Sequence, residues 1–283
     1  MCRHLAYLGP PVTLAEFLLY QPHSLLHQSW APADMRGGGT VNADGFGVGW
    51  LPGAPASAGD AGAAGDAGNA AVAGNARGAG NTGDPTGEAT ARRYRRDVPI
   101  WADASLPDLA ASISSTAILA AVRSATVGMA VTETACAPFV AESWMFSHNG
   151  VINGWPASVA PLARSLPPAA LMTLDAPTDS AFLWALVRER LRAGQPAAGA
   201  VAGVAGEVLA LAPGSRLNLL LNDGRQIVAT TVSHALWHRQ AEGSITVSSE
   251  ALDPGDRTWQ PVPDLCLLEA TATDCSIRPI DKG

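Results

Sequence analysis

The amino-acid sequence predicts an α+β fold in which antiparallel sheets are covered by helices. Strand-like segments cluster along the chain instead of alternating regularly with helices, which disfavours a parallel sheet. Asn222-Asp223-Gly224 lies between two apolar runs and is typical of a β-hairpin turn. Neither a phosphate-binding loop nor a GxGxxG fingerprint is present, so the sequence does not predict a nucleotide-binding α/β fold.

The first half of the chain carries mostly strand patterns. Residues 2–8 predict a strand that begins at the second residue, and Thr13-Leu-Ala-Glu16 has the spacing of a capping box that opens a short helix. Apolar segments predict further strands at residues 46–51, 118–123 and 144–148. The last of these leads into Ser147-His148-Asn149-Gly150, which predicts a turn.

The second half contains the clearest helix pattern. Residues 179–192 place Leu183, Leu186 and Val187 at helical spacing. The hairpin strands are predicted at residues 217–221 and 227–232, and two more strands are predicted at residues 244–248 and 265–269.

Residues 53–91 differ in composition from the rest of the chain. These 39 residues include 10 Gly and 14 Ala and no aromatic side chain. Such a segment buries too little apolar surface to offset the entropy of ordering it, and long surface loops are tolerated. We therefore expect a single domain over residues 1–283, interrupted by a disordered insert at residues 53–91.

Charge and cysteine usage restrict the partners and the compartment. The formal net charge of −7 argues against nucleic acid and anionic membranes, which bind clustered lysine and arginine. The most apolar run, residues 197–212, is interrupted by Glu207 and is shorter than the ~20 residues of a membrane-spanning helix. Four scattered cysteines without a CxxC pair predict a reducing cytoplasm: Cys2, Cys136, Cys266 and Cys275.

Cys2 is the first candidate catalytic residue. Removal of Met1 would leave a thiol and a free α-amine on one residue. An α-amine has a reference pKa of about 7.7–8.0 and can accept the thiol proton, so no separate histidine base is needed. The alternative is a buried N-terminal cysteine without a catalytic role.

Three further positions complement the end of a glutamyl amide. The side chain of Asn149 and the N–H of Gly150 are a candidate oxyanion hole, Arg123 suits bidentate capture of a carboxylate, and Asp179 suits an ammonium group. Each has a simpler alternative, since Asn-Gly forms turns, single arginines are often solvated, and an Asp at a helix start is often the N-cap. Together with Cys2, these groups fit a γ-glutamyl amide.

Six stretches resemble the class II glutamine amidotransferases, which are N-terminal nucleophile hydrolases with a catalytic cysteine. They follow the order of that family: residues 1–9, 44–50, 122–126, 146–150, 178–180 and 248–250. The resemblance implies a four-layer αββα sandwich, a small-molecule γ-glutamyl substrate, and no metal, nucleotide or flavin cofactor. It implies Cys2 as the nucleophile, Asn149 and Gly150 as the oxyanion hole, and a glutamyl-binding set of three residues: Arg123, Thr126 and Asp179.

The opening residues, together with residues 25–30 and 42–47, are most similar to one branch of that family. This branch consists of stand-alone hydrolases that cleave a γ-glutamyl amide in ergothioneine biosynthesis. The resemblance implies a γ-glutamyl thioester on Cys2 and release of glutamate. Two alternatives stay open: a glutaminase subunit that supplies ammonia to a separate synthetase, and a catalytically silent relative that binds a γ-glutamyl ligand or a protein.

Two positions complicate the assignment of the site. Members of the family often have a histidine before the Pro-Phe pair that follows the arginine motif, whereas this chain has Cys136-Ala137-Pro138-Phe139, so we assign no role there. Asn153-Gly154 is a second Asn-Gly pair and a rival for the oxyanion hole.

The remaining candidates have ordinary structural alternatives. His234 and His238 have an i, i+4 spacing but follow a predicted strand without a third ligand nearby, so we expect no zinc. Four tryptophans are candidates for a cage around a trimethylammonium group or for ordinary packing: Trp30, Trp50, Trp101 and Trp155. Ser248-Ser249-Glu250 either lines the site or forms a structural turn.

Overall fold

The computed structural model describes residues 2–35, 41–52, 89–126 and 128–280. Met1 and residues 53–88 of the predicted insert lie outside the described residues. Residues 89–91, the end of the predicted insert, are described. Ala91 is buried and its N–H donates to the carbonyl of Glu142 at 2.7 Å.

Within the described ranges the strands form two sheets, and every pair is antiparallel. The strands are β1 (Arg3–Thr13), β2 (Phe46–Trp50), β3 (Arg92–Arg96), β4 (Ser114–Val122), β5 (Phe139–Ala141), β6 (Trp144–Val151), β7 (Arg216–Asn222), β8 (Ile227–Thr231), β9 (Trp237–Ala241), β10 (Ser244–Ser248), β11 (Gln260–Pro261), β12 (Cys266–Ala270) and β13 (Cys275–Pro279). The first sheet has the order β11-β9-β10-β1-β4-β2-β3, and the second has the order β13-β12-β8-β7-β6-β5. These pairings confirm the predicted α+β class.

Helices lie outside both sheets. They are α1 (Leu25–Trp30), α2 (Leu106–Ser112), α3 (Ala160–Ala163), α4 (Pro168–Met172), α5 (Asp179–Arg192) and α6 (Ala197–Leu211). One apolar cluster packs α5 and α6 on the second sheet, and another packs α1 and α2 on the first. A third cluster, which we call the intersheet layer, fills the space between the sheets. The four layers therefore run α, β, β, α, as expected.

Strand β6 is longer than predicted, and the predicted turn at residues 147–150 is wrong. Asn149 and Gly150 lie inside β6 and pair with Asn218 and Leu217 of β7, because pairing along a central strand overrides the local turn preference of Asn-Gly. A Cβ added at Gly150 would lie 1.9 Å from the carbonyl oxygen of Arg216. The glycine therefore permits a close approach of backbone within an ordinary strand.

Two predicted caps also differ from the structure. Thr13 belongs to β1, and the short helical turn Glu16–Tyr20 that follows has no side-chain cap, so the capping box is not formed. Helix α5 has the predicted bounds, but its N-cap is Thr178, whose side chain accepts from the N–H of Ala181 at 3.2 Å. Asp179 is thereby left for other contacts.

The run at residues 197–212 folds as α6 and packs on the second sheet. Among the helices of the described ranges, none combines the length and the hydropathy needed to cross a membrane.

Candidate active site

The alternation of side chains along β1 and β6 defines the polar end of the intersheet layer. His4 of β1 meets Ser147 of β6, with 2.7 Å between Nδ1 and Oγ. Asn149 lies two residues further along β6, and Cys2 lies two residues before His4, just outside β1, so both lie on the side away from the apolar intersheet cluster. Because strand side chains alternate between faces, Asn149 is assigned to the intersheet face, at the same end of the molecule as Cys2.

Cys2 and Arg123 line one narrow cavity of about 30 Å³ together with His148, Ser180 and apolar side chains. Cys2 is partly exposed, and its Sγ lies 3.7 Å from the carbonyl oxygen of Ser124. Nη1 of Arg123 is buried and has no hydrogen-bond partner among the residues that the structure describes. A buried guanidinium donor without a partner is costly, so this geometry suits a site that an anion completes.

Asp44 is hydrogen-bonded to the backbone of the loop that carries Arg123. Its N–H donates to the carbonyl of Arg123 at 3.0 Å, and its Oδ2 accepts from the N–H of Ala125 at 2.8 Å. The N–H of Arg123 donates to the carbonyl of Gly45 at 2.8 Å. Sequence reasoning assigned Asp44 no role, although it begins one of the stretches that carry the family resemblance.

Asp179 is the first residue of α5, and its side chain contacts the residue that follows β6. Its Oδ2 accepts from the N–H of Ile152 at 3.1 Å, and its Oδ1 accepts from the N–H of Ser180 at 2.8 Å. Nε2 of His148 donates to the carbonyl oxygen of Arg216 at 3.0 Å, and its Nδ1 lies 3.0 Å from the hydroxyl of Ser180. The imidazole of His148 is therefore held on both sides in the wall beside Cys2.

Thr126 lines a separate, wider groove of about 530 Å³. This groove also contains Ile152, Trp155 and Arg216. Ile152 donates to Asp179, and Thr126 follows Arg123 on one loop, so the groove adjoins the narrow cavity. The structure thus places Thr126 beside the cavity that holds Arg123 but not within it.

The four predicted tryptophans are not brought together. Trp155 lies in the wide groove against Phe182, whereas Trp50 packs on the core beneath α1 and α2. Trp30 and Trp101 are 52% and 46% exposed. Trp50 and Trp155 therefore do not belong to one cage.

The rival pair Asn153-Gly154 is committed to other contacts. Nδ2 of Asn153 donates to the carbonyl of Pro213 at 3.0 Å, and its backbone N–H donates to Oγ of Ser215 at 3.0 Å. Asn153 is exposed, whereas Asn149 is buried. Oδ1 of Asn149 is buried without a hydrogen-bond partner in the described part of the chain.

Burial favours the uncharged forms of His4, His234 and Cys136. Burial, with smaller contributions from neighbouring charges, lowers the pKa of His4 and of His234 to about 3. His234 Nε2 accepts from Nε of Arg216 at 3.1 Å, whereas His238 lies near Cys275, so the two histidines serve different surroundings. Burial raises the pKa of the Cys136 thiol to about 11 despite the nearby charge of Arg123.

Glu250 is buried and lies behind Cys2 on the outer side of the first sheet. It contacts Arg3, His23, and the N–H groups of Ala33 and Asp34. Burial alone would raise the pKa of this carboxyl, but the hydrogen bonds and the charge of Arg3 outweigh it and lower the pKa to about 2. Sequence reasoning left Glu250 between a site residue and a turn. The structure makes it the centre of a buried charge cluster.

Comparison with known proteins agrees with this architecture. The family model described as class II glutamine amidotransferases matches residues 97–244, just over half of the chain. The protein belongs to the class II glutamine amidotransferases.

The chain is similar over nearly its full length to two proteins of the same name. It is 33% identical to the γ-glutamyl-hercynylcysteine sulfoxide hydrolase of Mycolicibacterium smegmatis, over 99% of this chain and 100% of that protein. It is 32% identical to the Mycobacterium tuberculosis protein of the same name, over 100% of this chain and 98% of that one.

The solved structures show the fold alone. A glutamine aminotransferase class-II domain protein from Silicibacter pomeroyi has a TM-score of 0.59 at 20% identity, covering 99% of this chain and 100% of that one. The glutamine phosphoribosylpyrophosphate amidotransferase of B. subtilis has a TM-score of 0.61 at 12% identity, covering 100% of this chain and 50% of that one.

Proposed function

We propose that this protein hydrolyses the γ-glutamyl amide bond of γ-glutamyl-hercynylcysteine S-oxide and releases glutamate and hercynylcysteine S-oxide, a step of ergothioneine biosynthesis. The observation that carries the proposal is the narrow cavity lined by both Cys2 and Arg123, whose buried Nη1 has no partner among the described residues. Full-length identities of 33% and 32% to two hydrolases of that name support the choice of leaving group.

In the proposed reaction, the free α-amine of Cys2 takes the thiol proton once Met1 has been removed. The thiolate attacks the γ-carbonyl carbon, and the Asn149 amide and the Gly150 N–H stabilise the tetrahedral oxyanion. Collapse breaks the C–N bond, the amine product leaves with the proton from the α-ammonium, and a γ-glutamyl thioester stays on Cys2. Water then gives a proton to the α-amine, attacks the thioester and releases glutamate and the thiol.

The glutamyl end is assigned to three side chains. Arg123 binds the α-carboxylate through its guanidinium fork, because Nη1 is a buried donor without a partner in the described ranges. Asp179 binds the α-ammonium with the lone pairs that its two backbone contacts leave unused. Thr126, in the adjoining groove, completes the carboxylate site.

Three further statements belong to the same proposal. All four cysteines are free, which supports a cytoplasmic location. We also propose one domain over residues 1–283, with the insert as an addition to it. The substrate is a small molecule, and the mechanism above uses no cofactor.

The decisive experiment compares γ-glutamyl-hercynylcysteine S-oxide with glutamine, with glutamate release as the readout. The protein is first shown by intact mass to lack Met1. We expect a kcat/KM at least tenfold higher for the hercynyl substrate, with Cys275→Ser as an active control. A preference for glutamine would support the glutaminase-subunit alternative, and no glutamate from either would support a binding protein. Quenched intact mass showing a γ-glutamyl adduct on Cys2 tests the thioester.

A further inference from the structure

The side chain of Arg3 folds back and contacts the backbone of the preceding residue, Cys2. Its Nη1 donates to the carbonyl of Cys2 at 3.0 Å, its Nε donates to Oε1 of Glu250 at 2.8 Å, and its Nη2 donates to the carbonyl of Asp34. The side chains of Arg3 and Glu250 are only 3% and 5% exposed. One planar fork thus ties the carbonyl of Cys2 to two other segments.

Glu250 also accepts hydrogen bonds from donors other than Arg3. Oε2 lies 2.5 Å from Nε2 of His23 and 2.8 Å from the N–H of Ala33, and Oε1 accepts from the N–H of Asp34 at 3.1 Å. A carboxylate with this many donors has little freedom to move. The anchor for Arg3 is therefore rigid.

Strand β1, which begins at Arg3, is also hydrogen-bonded to Ser249, the residue before Glu250. The N–H of Ser249 donates to the carbonyl of His4 at 2.9 Å, and the N–H of His4 donates to Oγ of Ser249 at 3.0 Å. Cys2 itself lies just before β1, which begins at Arg3. Chain ends tend to fray unless they are held, so the contact from Arg3 to the Cys2 carbonyl, together with the contact of the Cys2 Sγ with Ser124, extends order to Cys2.

We propose that Arg3 and Glu250 are positioning residues that fix the backbone of Cys2, and with it the thiol and the α-amine, against the narrow cavity. The inference rests on the proposed function, because it gives Cys2 the role of nucleophile. Buried ion pairs are often no more stabilising than apolar packing, so stability alone does not explain this cluster. A nucleophile at the end of a chain does need such a clamp, since a displacement of about 1 Å can cost ~100-fold in rate.

The test uses Glu250→Gln and Arg3→Lys, together with the double variant, on whichever substrate the wild-type protein hydrolyses. The glutamine is isosteric but presents an amide N–H₂ to groups that are themselves donors, and the lysine keeps the charge without the fork. We expect kcat to fall 10- to 100-fold in each single variant. KM should stay within twofold, because Arg123, Thr126 and Asp179 are untouched.

Two controls separate positioning from loss of stability. Val204→Ala opens a cavity beneath α6, at a residue that does not line the cavity of Cys2, and should lower the melting temperature while leaving kcat within twofold. Because Arg3 and Glu250 act as one unit, the double variant should lose no more than about threefold beyond the worse single variant.

The outcomes are distinct. Unchanged kcat, a loss carried by KM, multiplicative losses in the double variant, or full activity in Arg3→Lys would overturn the inference while leaving the proposed function in place. Normal turnover by Cys2→Ala would instead overturn the proposed function, and the inference with it.

Discussion

The two ends of the intersheet layer are built from the same strands but from different kinds of side chain. At one end, Leu8 of β1 and Met145 of β6 pack in an apolar cluster. At the other, His4, Ser147 and Asn149 occupy the equivalent alternating positions. The change from apolar to polar happens within a few residues of each strand.

The apolar end is complete in itself, whereas the polar end is not. Met145 is fully buried among apolar neighbours. In contrast, Nε2 of His4, Oδ1 of Asn149 and Nη1 of Arg123 are buried without hydrogen-bond partners in the part of the chain that the structure describes. Burying such groups opposes folding, so this difference indicates that the polar end is built to be completed by a ligand.

The largest effect is expected from Cys2→Ala at the polar end. Loss of the nucleophile should lower kcat/KM by at least ~1000-fold, because the covalent route no longer exists. The melting temperature should change little, since Cys2 is partly exposed and alanine is a small replacement. Glutamate release and thermal unfolding measure the two quantities, and turnover near the wild-type rate would contradict the role of Cys2.

Asn149→Ala and Met145→Ala contrast the two ends directly. Removal of one oxyanion donor should lower kcat by about 100- to 1000-fold, with little loss of stability because Oδ1 of Asn149 has no described partner. Met145→Ala should cost about 2–5 kcal/mol of unfolding free energy and leave kcat nearly unchanged. The opposite pattern in urea unfolding and kinetics would remove the functional distinction between the ends.

Arg123→Lys tests the carboxylate site. A lysine supplies a charge but not a bidentate fork, so we expect KM to rise about 10-fold while kcat falls less. Arg225 lies in the turn between β7 and β8, next to the apolar end of the intersheet layer. Arg225→Lys is therefore the matched control. An unchanged KM for the substrate would exclude Arg123 from the glutamyl site.

A feature of this arrangement can be predicted from the sequence when the residues that determine it lie close together along the chain. The hairpin of β7 and β8 and the bounds of α5 follow from local periodicity and were predicted correctly. The local Asn-Gly pattern predicts a turn at Asn149, whereas its strand conformation depends on pairing with β7, far along the chain. Arg3 and Glu250 are 247 residues apart, so no local pattern reveals their contact. The catalytic roles of Cys2, Asn149, Gly150, Arg123, Thr126 and Asp179 stay predictions.

His4 makes the polar end sensitive to acid. Its pKa is about 3 in the folded protein against a reference of 6.5, so the unfolded chain binds the proton first. The stability contribution is complete above pH 6.5 and is lost as the pH falls toward 3, at up to about 1.4 kcal/mol per pH unit. In His4→Gln, urea unfolding between pH 7 and pH 5 should show a shallower slope. An identical slope would contradict this assignment.

The smallest effect is expected from deleting residues 53–88, which joins Pro52 to Ala89. Trp50 pairs with Arg92, so the shortened segment closes an antiparallel hairpin of β2 and β3. That hairpin end lies beside Ala117, which pairs with Leu8 at the apolar end of the intersheet layer. Residues 117 to 122 separate it from the polar end by about 17 Å at ~3.4 Å per residue. We therefore expect kcat/KM within twofold of wild type, and a larger loss in glutamate release would show that the insert reaches the cavity of Cys2.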